Sequence, residues 1–307
     1  PASCLLNRAI AGQYPAGSTF KIIDALAALM DGRFSPDTRF SCGGALALGS
    51  TVFHCWNNSG HGALGMVDAI RQSCNVYFYQ LGIKLGPDAI AGMARQLGLG
   101  ARTGIELIGE AAGLVPDRAW KARQRGLDPE WKSGDSANLA IGQGALQVTP
   151  LQMAVAFAAV ANGGRIYRPQ LIERAVRADG SELAALTPEL LRTVPLSPAA
   201  LATVRAGMQQ AIVAGTGRAA ATFAGGEMLE QLPAGKTGTA QVGDLNGNGR
   251  VDESEQPHAW FAAYWPVDEP QLAIAVFVEH GGYGGAVAAP VARRVFAVLD
   301  RPGADGG

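Results

Sequence analysis

Residues 14–21 read YPAGSTFK and open a predicted helix. From Thr19 to Met30 apolar residues recur at three-and-four spacing, and Asp31-Gly32 ends the run. Positions three apart on a helix share a face, so we expect the Ser18 hydroxyl and the Lys21 amine to lie together. A lysine kept neutral in a desolvated pocket can take a serine's proton and make that serine a nucleophile. The alternative is an ordinary helix start, because S-x-x-K also occurs by chance.

Two further motifs follow along the chain. Ser73-Cys74-Asn75 separates two short predicted helices, Gly65 to Gln72 and Val76 to Leu85, and offers a hydroxyl and an amide at the tip of a turn. Lys236-Thr237-Gly238-Thr239 lies on a predicted strand, where we expect Gly238 to leave room for a ligand lying against the strand. Each motif is weak alone. Their order, on a helix, an interhelical turn and a strand, predicts active-site serine chemistry.

The other periodic segments alternate between helical and strand-like patterns without an internal repeat, which favours a single domain over residues 1–307. Late in the chain, apolar runs joined by loops rather than crossover helices predict antiparallel pairing. The predicted strands are Gly235 to Val242, His258 to Trp265 and Leu272 to His280, and the further helices are Pro87 to Leu97, Thr149 to Ala161, Leu196 to Val213 and Val287 to Leu299. This pattern predicts an α+β fold, an antiparallel sheet covered by helices.

Composition excludes several classes of function. Lys and Arg number 25 and Asp and Glu 26, and the net charge of −1 gives no electrostatic signal for nucleic acid or an anionic membrane surface. The longest apolar runs, such as Met153 to Ala161, fall far short of the roughly 18 residues that a membrane helix needs. The chain starts at Pro1 without an initiator Met or a signal-like segment, so we expect an excised domain.

Together the three motifs match the S-x-x-K, S-x-N and K-T-G set of penicillin-recognising serine acyltransferases. Longer phrases extend the match over nearly the whole chain, namely Leu5-Leu6-Asn7-Arg8-Ala9, Gly60-His61-Gly62, Val76-Tyr77-Phe78-Tyr79 and Ile141-Gly142-Gln143-Gly144. On these residues the chain resembles the transpeptidase domain of class B penicillin-binding proteins, most closely the penicillin-binding protein 2 type that serves cell elongation. The resemblance implies the fold shared with serine β-lactamases, with an inserted helical subdomain.

The resemblance also implies acyl transfer on peptidoglycan stem peptides, without an organic cofactor. Ser18 would attack the penultimate D-Ala carbonyl with Lys21 as general base, and an amine from a neighbouring strand would then take the acyl group. Ser73 would relay a proton to the leaving amine, Asn75 would orient the substrate amide, and Lys236 would hold the relay electrostatically. β-Lactams mimic the D-Ala-D-Ala end, so they would acylate Ser18 and stay.

The same resemblance assigns the groups that hold the substrate's charges. Backbone N–H groups of Ser18 and Thr239 would form the oxyanion hole, because charge develops on the carbonyl oxygen and needs fixed donors there. The Thr237 and Thr239 hydroxyls would bind the terminal carboxylate.

Two other functions compete with this interpretation, a serine β-lactamase and a penicillin-binding sensor domain without turnover. A β-lactamase needs a base that activates water on the acyl-enzyme, and the sequence has no glutamate in an E-x-x-L-N setting. The phrase Ile141-Gly142-Gln143-Gly144 is similar to the transpeptidase pattern instead. The resemblance further implies an amino-terminal membrane anchor and pedestal beyond this sequence, an extracytoplasmic or periplasmic domain at the inner (cytoplasmic) membrane, and a membrane glycosyltransferase and elongation machinery as partners.

A possible metal site lies close to the S-x-N motif. Cys42, Cys55, His61 and Cys74 are separated by 13, 6 and 13 residues, and three thiolates with an imidazole form a set that structural zinc prefers. The alternatives are a disulfide between Cys42 and Cys55 and a Cys74 that is only a small buried residue. Some members of the penicillin-binding protein 2 group carry metal-liganding residues at these places, so the resemblance favours zinc. We expect His54 to point away from the cluster and Cys4 to lie in the core.

The segment after the K-T-G strand predicts a second metal site. Residues 244–255 fit the calcium-loop pattern D-x-[DN]-x-[DN]-G-x₅-E, with Gly249 at the sharp turn. Its oxygen ligands would come from Asp244, Asn246, Asn248, the Arg250 carbonyl, Asp252 and Glu255. The segments on both sides are predicted strands, so we predict a connection between strands that is stabilised by calcium rather than a helix-loop-helix sensor. The alternative is an acidic, Asn-Gly-rich solvated turn.

Overall fold

A three-stranded antiparallel sheet, packed between helices, organises the computed structural model, which describes residues 5–185, 187–222, 226–243 and 252–300. Its helices are α1 (Arg8–Ala11), α2 (Lys21–Asp31), α3 (Met66–Arg71), α4 (Asn75–Leu85), α5 (Pro87–Gln96), α6 (Arg118–Ala122), α7 (Ser133–Ala140), α8 (Pro150–Asn162), α9 (Pro198–Ala214) and α10 (Ala288–Leu299). Its strands are β1 (Phe40–Cys42), β2 (Ala45–Leu48), β3 (Thr51–His54), β4 (Gly62–Leu64), β5 (Arg165–Tyr167), β6 (Arg174–Val176), β7 (Glu182–Ala185), β8 (Leu190–Thr193), β9 (Ala234–Ala240), β10 (His258–Trp265) and β11 (Leu272–Val278).

The central sheet has the order β11-β10-β9, so β10 is the middle strand. Every residue of β10 is buried, because successive side chains alternate between two covered faces. Trp260, Ala262 and Tyr264 join the large core shared with α2, α4 and α8. Phe261 and its alternating neighbours pack in a second cluster with Phe296 of α10. The sheet is thus a layer between two apolar cores, with β9 at one edge.

The predicted helices and late strands are confirmed to within a few residues, since their local signals are present. Helix α8 begins with a capping box in which Thr149 and Gln152 bond reciprocally, and Pro150 occupies the first turn. Helix α2 ends at Gly32, whose φ of 81° is the left-handed conformation that glycine adopts without strain. None of the described helices is both long and apolar enough to cross a bilayer.

Short elements were not predicted from the sequence. The small β-hairpin of β2 and β3, the pairing of β1 with β4, and helix α7 lack an apolar run long enough to show a period. Packing stabilises them: α4 lies against β1, β2 and β3, and it also packs along α7. These elements form the wall of the cleft opposite β9.

Candidate active site

The three sequence motifs meet at one cleft of about 1010 Å³. Ser18 lies on a 3-10 turn (Gly17–Phe20) that leads directly into α2, Ser73 and Asn75 lie where α3 gives way to α4, and β9 supplies the far edge. These segments are far apart in sequence, and packing of α2 on α3 and α4 and of the 3-10 turn on β9 brings them together. Ser18 is half-buried and faces the cleft.

Lys21 is fully buried, and its amine contacts the S-x-N turn. Its Nζ donates to the Ser73 carbonyl oxygen at 2.8 Å and to Asn75 Oδ1 at 2.7 Å, and it lies 3.3 Å from Ser73 Oγ. Burial lowers the pKa of Lys21 to about 8, because the charged amine loses its hydration. Among the described hydrogen bonds none joins Lys21 Nζ to the Ser18 hydroxyl; such bonds often tighten only with substrate bound.

A second buried lysine meets the same serine. Lys236 Nζ donates to Ser73 Oγ at 2.8 Å and to the Thr237 carbonyl oxygen at 2.9 Å. Burial, with the neighbouring Lys21 amine adding to it, lowers the pKa of Lys236 well below its usual value. Two ammonium groups sharing one hydroxyl would repel, so this arrangement favours a neutral amine at the site.

Ser73 has a strained backbone. Its φ of 52° falls in the left-handed region, which non-glycine residues rarely adopt. Such conformations persist at functional sites when the surroundings hold them, and here both lysine amines contact the residue. In this conformation the Ser73 hydroxyl lies within hydrogen-bonding distance of both amines.

The backbones around Ser18 and Thr239 approach closely, as an oxyanion hole requires. A Cβ on Gly17 would come within 2.8 Å of the Thr239 carbonyl oxygen, and Gly17 has a φ of 55°. Gly142 packs on the other side, and the Gly17 N–H donates to its carbonyl oxygen at 2.9 Å. The I-G-Q-G phrase is therefore partly a packing requirement, since a Cβ on Gly142 would lie 2.2 Å from the Gly17 carbonyl oxygen.

The sequence-based explanation of Gly238 is wrong. A Cβ there would meet Trp260 Cβ at 2.9 Å and the Ala16 carbonyl oxygen at 3.0 Å, so the bare face points into the core rather than towards a ligand. Alternation along β9 explains this, because Gly238 lies on the Lys236 face while Thr237 and Thr239 lie on the other. The glycine allows β9 to pack against the 3-10 turn that holds Ser18.

The cleft also contains residues that the motifs did not indicate. They supply hydroxyl, amide and aromatic groups and are His54, Trp56, Tyr79, Asn138, Gln143, Thr216, Gln241 and Tyr283. Their neighbours in sequence carry no catalytic pattern. The phrases V-Y-F-Y and I-G-Q-G were the available signals, and they contain Tyr79 and Gln143.

The proposed zinc ligands converge behind the S-x-N turn. The candidate atoms of Cys42, Cys55, His61 and Cys74 all lie within 4.8 Å of one another. His61 Nδ1 is 3.6 Å from Cys42 Sγ and 3.5 Å from Cys55 Sγ, and the Cys55 and Cys74 sulfurs are 4.0 Å apart. Zinc bonds of about 2.3 Å to sulfur and 2.0 Å to nitrogen would place tetrahedral ligand atoms about 3.5 to 3.8 Å apart, so these residues fit the ion.

The thiols are free in this structure, including the Cys42 and Cys55 of the disulfide alternative. Cys55 has its pKa lowered to about 4, first because the Cys74 thiol donates a hydrogen bond to it and then because backbone N–H groups contribute. A favoured thiolate suits a metal ligand. His54 lies outside the cluster, as expected, and it lines the cleft. Cys4 lies outside the described residues.

Most of the predicted calcium loop lies outside the described residues, including Asp244, Asn246, Asn248 and Arg250. Asp252 and Glu255 are described: Asp252 is the N-cap of a 3-10 turn, Glu253–Glu255, and Glu255 is its last residue. The Asp252 N–H donates to Glu255 Oε2 at 3.1 Å, and the Glu255 side chain is buried. The calcium site stays a prediction.

The fold and the site define a class of protein. A cleft serine at a helix start, a second serine contacted by two buried lysines, and an edge strand with two threonines form a serine acyltransferase site.

The chain belongs to the family described as the penicillin binding protein transpeptidase domain, which it matches over residues 3–297. Among curated proteins it is similar to the peptidoglycan D,D-transpeptidase MrdA of Acinetobacter baumannii, with 37% identity over 299 residues. That match covers 95% of this chain and 43% of the relative, so the chain spans less than half of the relative's length.

Solved structures support the same family assignment. The chain is similar to PBP2 of Pseudomonas aeruginosa in complex with WCK 5153, with a TM-score of 0.80 and 36% identity over 96% of this chain and 60% of that one. It is also similar to PBP2 of Helicobacter pylori, in a complex with MreC, with a TM-score of 0.80 and 29% identity over 96% of this chain and 51% of that one. The expected family and the α+β fold are confirmed.

Proposed function

We propose that this chain is the catalytic domain of a peptidoglycan D,D-transpeptidase that works through a Ser18 acyl-enzyme and is acylated by β-lactams. One observation supports this most directly. The buried amines of Lys21 and Lys236 both contact the Ser73 hydroxyl, in the cleft that Ser18 faces. This chain of groups can carry a proton from an attacking serine to a leaving amine.

Acylation follows from the order of these groups. Neutral Lys21 takes the Ser18 proton as Ser18 Oγ bonds to the penultimate D-Ala carbonyl carbon. Charge on the carbonyl oxygen is held by the N–H groups of Ser18 and Thr239. The proton passes through Ser73 to the departing D-Ala nitrogen, while Lys236 stabilises the Ser73 oxygen. Asn75, fixed by Lys21, holds the peptide amide.

The acyl group then passes to an amine rather than to water. Among the described residues that line the cleft there is no aspartate or glutamate to activate a hydrolytic water. This composition favours a transpeptidase over a β-lactamase. A β-lactam adduct formed without an amine acceptor present should therefore be long-lived, because water in the cleft is not activated.

Intact-protein mass spectrometry after exposure to benzylpenicillin tests the proposal. The protein should gain one penicilloyl mass, located on Ser18 by peptide mapping, and the Ser18→Ala variant should gain none. Ser35→Ala, at an exposed serine, is the matched control and should react like the parent chain. Stoichiometric labelling of Ser18→Ala would disprove the assignment, and rapid release of the adduct would favour the β-lactamase. Transfer of a D-Ala-D-Ala donor to an added amine separates a transpeptidase from a sensor.

We also propose that Cys42, Cys55, His61 and Cys74 hold a structural zinc ion. Cys74 lies between Ser73 and Asn75, so an ion bound to it would fix both catalytic side chains from behind. The free thiols and their spacing support this. The ion would supply rigidity and take no part in acyl transfer.

The wider setting is proposed from the family. In a longer protein this domain would act outside the cytoplasmic membrane, behind a membrane anchor and pedestal. Its partners would be a membrane glycosyltransferase and the elongation machinery, and the Helicobacter pylori relative in complex with MreC supports this. A calcium ion at residues 244–255 would order the connection that follows the catalytic strand.

A further inference from the structure

A threonine that no motif includes lies against the carboxylate-binding strand. Thr216 follows Gly215, which ends helix α9, and its Oγ1 lies 2.7 Å from Thr237 Oγ1. Both residues line the cleft. Thr216 is held in place by packing, since a Cβ on Gly285 would approach the Thr216 carbonyl oxygen to 2.6 Å and the Gly217 N–H donates to the Ala211 carbonyl oxygen.

The direction of this hydrogen bond decides what Thr237 can bind. A hydroxyl has one proton to donate, and a carboxylate can only accept. If Thr237 donated its proton to Thr216, it would have none for a substrate carboxylate. When Thr216 is the donor, the Thr237 oxygen accepts and its own proton is free to point into the cleft.

The second threonine of the strand has a backbone N–H group behind it. The Gly284 N–H donates to Thr239 Oγ1 at 3.4 Å, which fills an acceptor position and leaves the Thr239 proton free. The Gly284 backbone packs closely on β9 and β10, since a Cβ there would be 2.2 Å from the Gly238 and Trp260 carbonyl oxygens. Thr239 therefore has a backbone donor behind it, and the Thr216 hydroxyl lies in the corresponding place behind Thr237.

We propose that Thr216 is a positioning residue that sets the specificity of this site for ligands ending in a free carboxylate, by donating to Thr237. The inference rests on the proposed function, because it concerns the ligand of the same cleft. It predicts an effect on recognition of the carboxylate and not on the serine chemistry.

The test compares Thr216→Val, which keeps the shape and removes the hydroxyl, with Thr216→Ser, which keeps the hydroxyl. Each variant and the parent chain are acylated by benzylpenicillin and by its methyl ester, which has no carboxylate charge. Valine leaves the Thr237 hydroxyl without the donor that orients and polarises it, which weakens its charge-assisted hydrogen bond to the carboxylate. For Thr216→Val we therefore expect the second-order rate with benzylpenicillin to fall about tenfold. The rate with the ester should change less than about twofold, and Thr216→Ser should behave like the parent chain for both reagents.

The ratio of the two rates separates recognition from folding. An equal loss with both reagents in Thr216→Val leaves the ratio unchanged, would mean a merely structural role and would overturn the inference. Parent-like rates with both reagents would overturn it as well. Thr216→Ala is the second variant in case valine does not fit, and thermal melting checks each fold. Failure of benzylpenicillin to acylate the parent chain at Ser18 would instead contradict the proposed function itself.

Discussion

The S-x-N turn separates two clusters that are built in opposite ways. On one side, Ser73 and Asn75 accept hydrogen bonds from buried lysine amines, so the polar groups are satisfied by protein atoms alone. On the other side, Cys74 belongs to a group of three thiols and an imidazole within 4.8 Å, where the contacts are long and weak. Trp56 packs edge-on against His61, with ring centroids 5.1 Å apart, and orients that imidazole.

The difference concerns what each cluster needs in order to be stable. Buried polar groups that bond to one another can be stable without a ligand, whereas closely grouped thiolates repel and gain from a cation. The catalytic cluster is thus stable with protein groups alone. We expect the thiol cluster to be stable only when it binds a metal ion.

Removing the Lys21 amine should have the largest effect. Lys21→Ala should lower the rate of acylation by benzylpenicillin about 10²- to 10⁴-fold, because general-base assistance is lost. Zinc content should not change, since the lysine is not a ligand. Lys84→Ala, at an exposed position on α4, is the control. Near-normal acylation of Lys21→Ala would move the base role to another group.

The catalytic cluster should titrate near neutral pH. Burial places the pKa of Lys21 at about 8, and the base must be neutral, so it is charged and inactive well below that pH. The acylation rate should therefore rise about 50-fold between pH 6 and pH 8, as the neutral fraction grows, and level off above pH 9. Stopped-flow acylation across this range measures it. A rate independent of pH would show that Lys21 is not the titrating base.

Removing one thiol should abolish metal binding by the thiol cluster and should affect the catalytic cluster only indirectly. Cys42→Ser should reduce zinc from about one ion per chain to near none by elemental analysis. Acylation should fall about tenfold, because the turn carrying Ser73 loses its support. Ser41→Ala, at an exposed neighbour on β1, is the matched control. A metal-free parent chain with a disulfide between Cys42 and Cys55 in peptide maps would rule out the zinc site.

The calcium prediction gives the smallest effect and concerns a third region. A site with a dissociation constant of about 10⁻⁴ to 10⁻³ M should raise the melting temperature by about 2 to 4 °C in about 5 mM calcium. The double variant Asp244→Ala and Glu255→Ala should show no such shift. If the two proteins respond alike, residues 244–255 are an ordinary solvated turn.

Much of the fold was predictable because its signals are local. The start and end of α8 follow from Thr149, Pro150 and the glycine after Asn162, and β10 was predicted at its exact bounds from an uninterrupted apolar run. Only an apparent strand at His54 and Cys55 was predicted in the β2 to β3 region, and the hairpin itself was not, because each strand has only four residues. Such segments become strands through packing on α4, which no short sequence window contains.

The sequence by itself determined which chemical groups the site contains, because the order of Ser18, Ser73 and Lys236 on distinct elements is a pattern of residue types. Only the tertiary structure decided where those groups point. It turned the bare face of Gly238 into the core, placed Thr216 behind Thr237, and grouped four ligand candidates 13, 6 and 13 residues apart. Side-chain directions, and the distances between residues of remote segments, depend on how the whole chain packs. No single segment of sequence determines that packing.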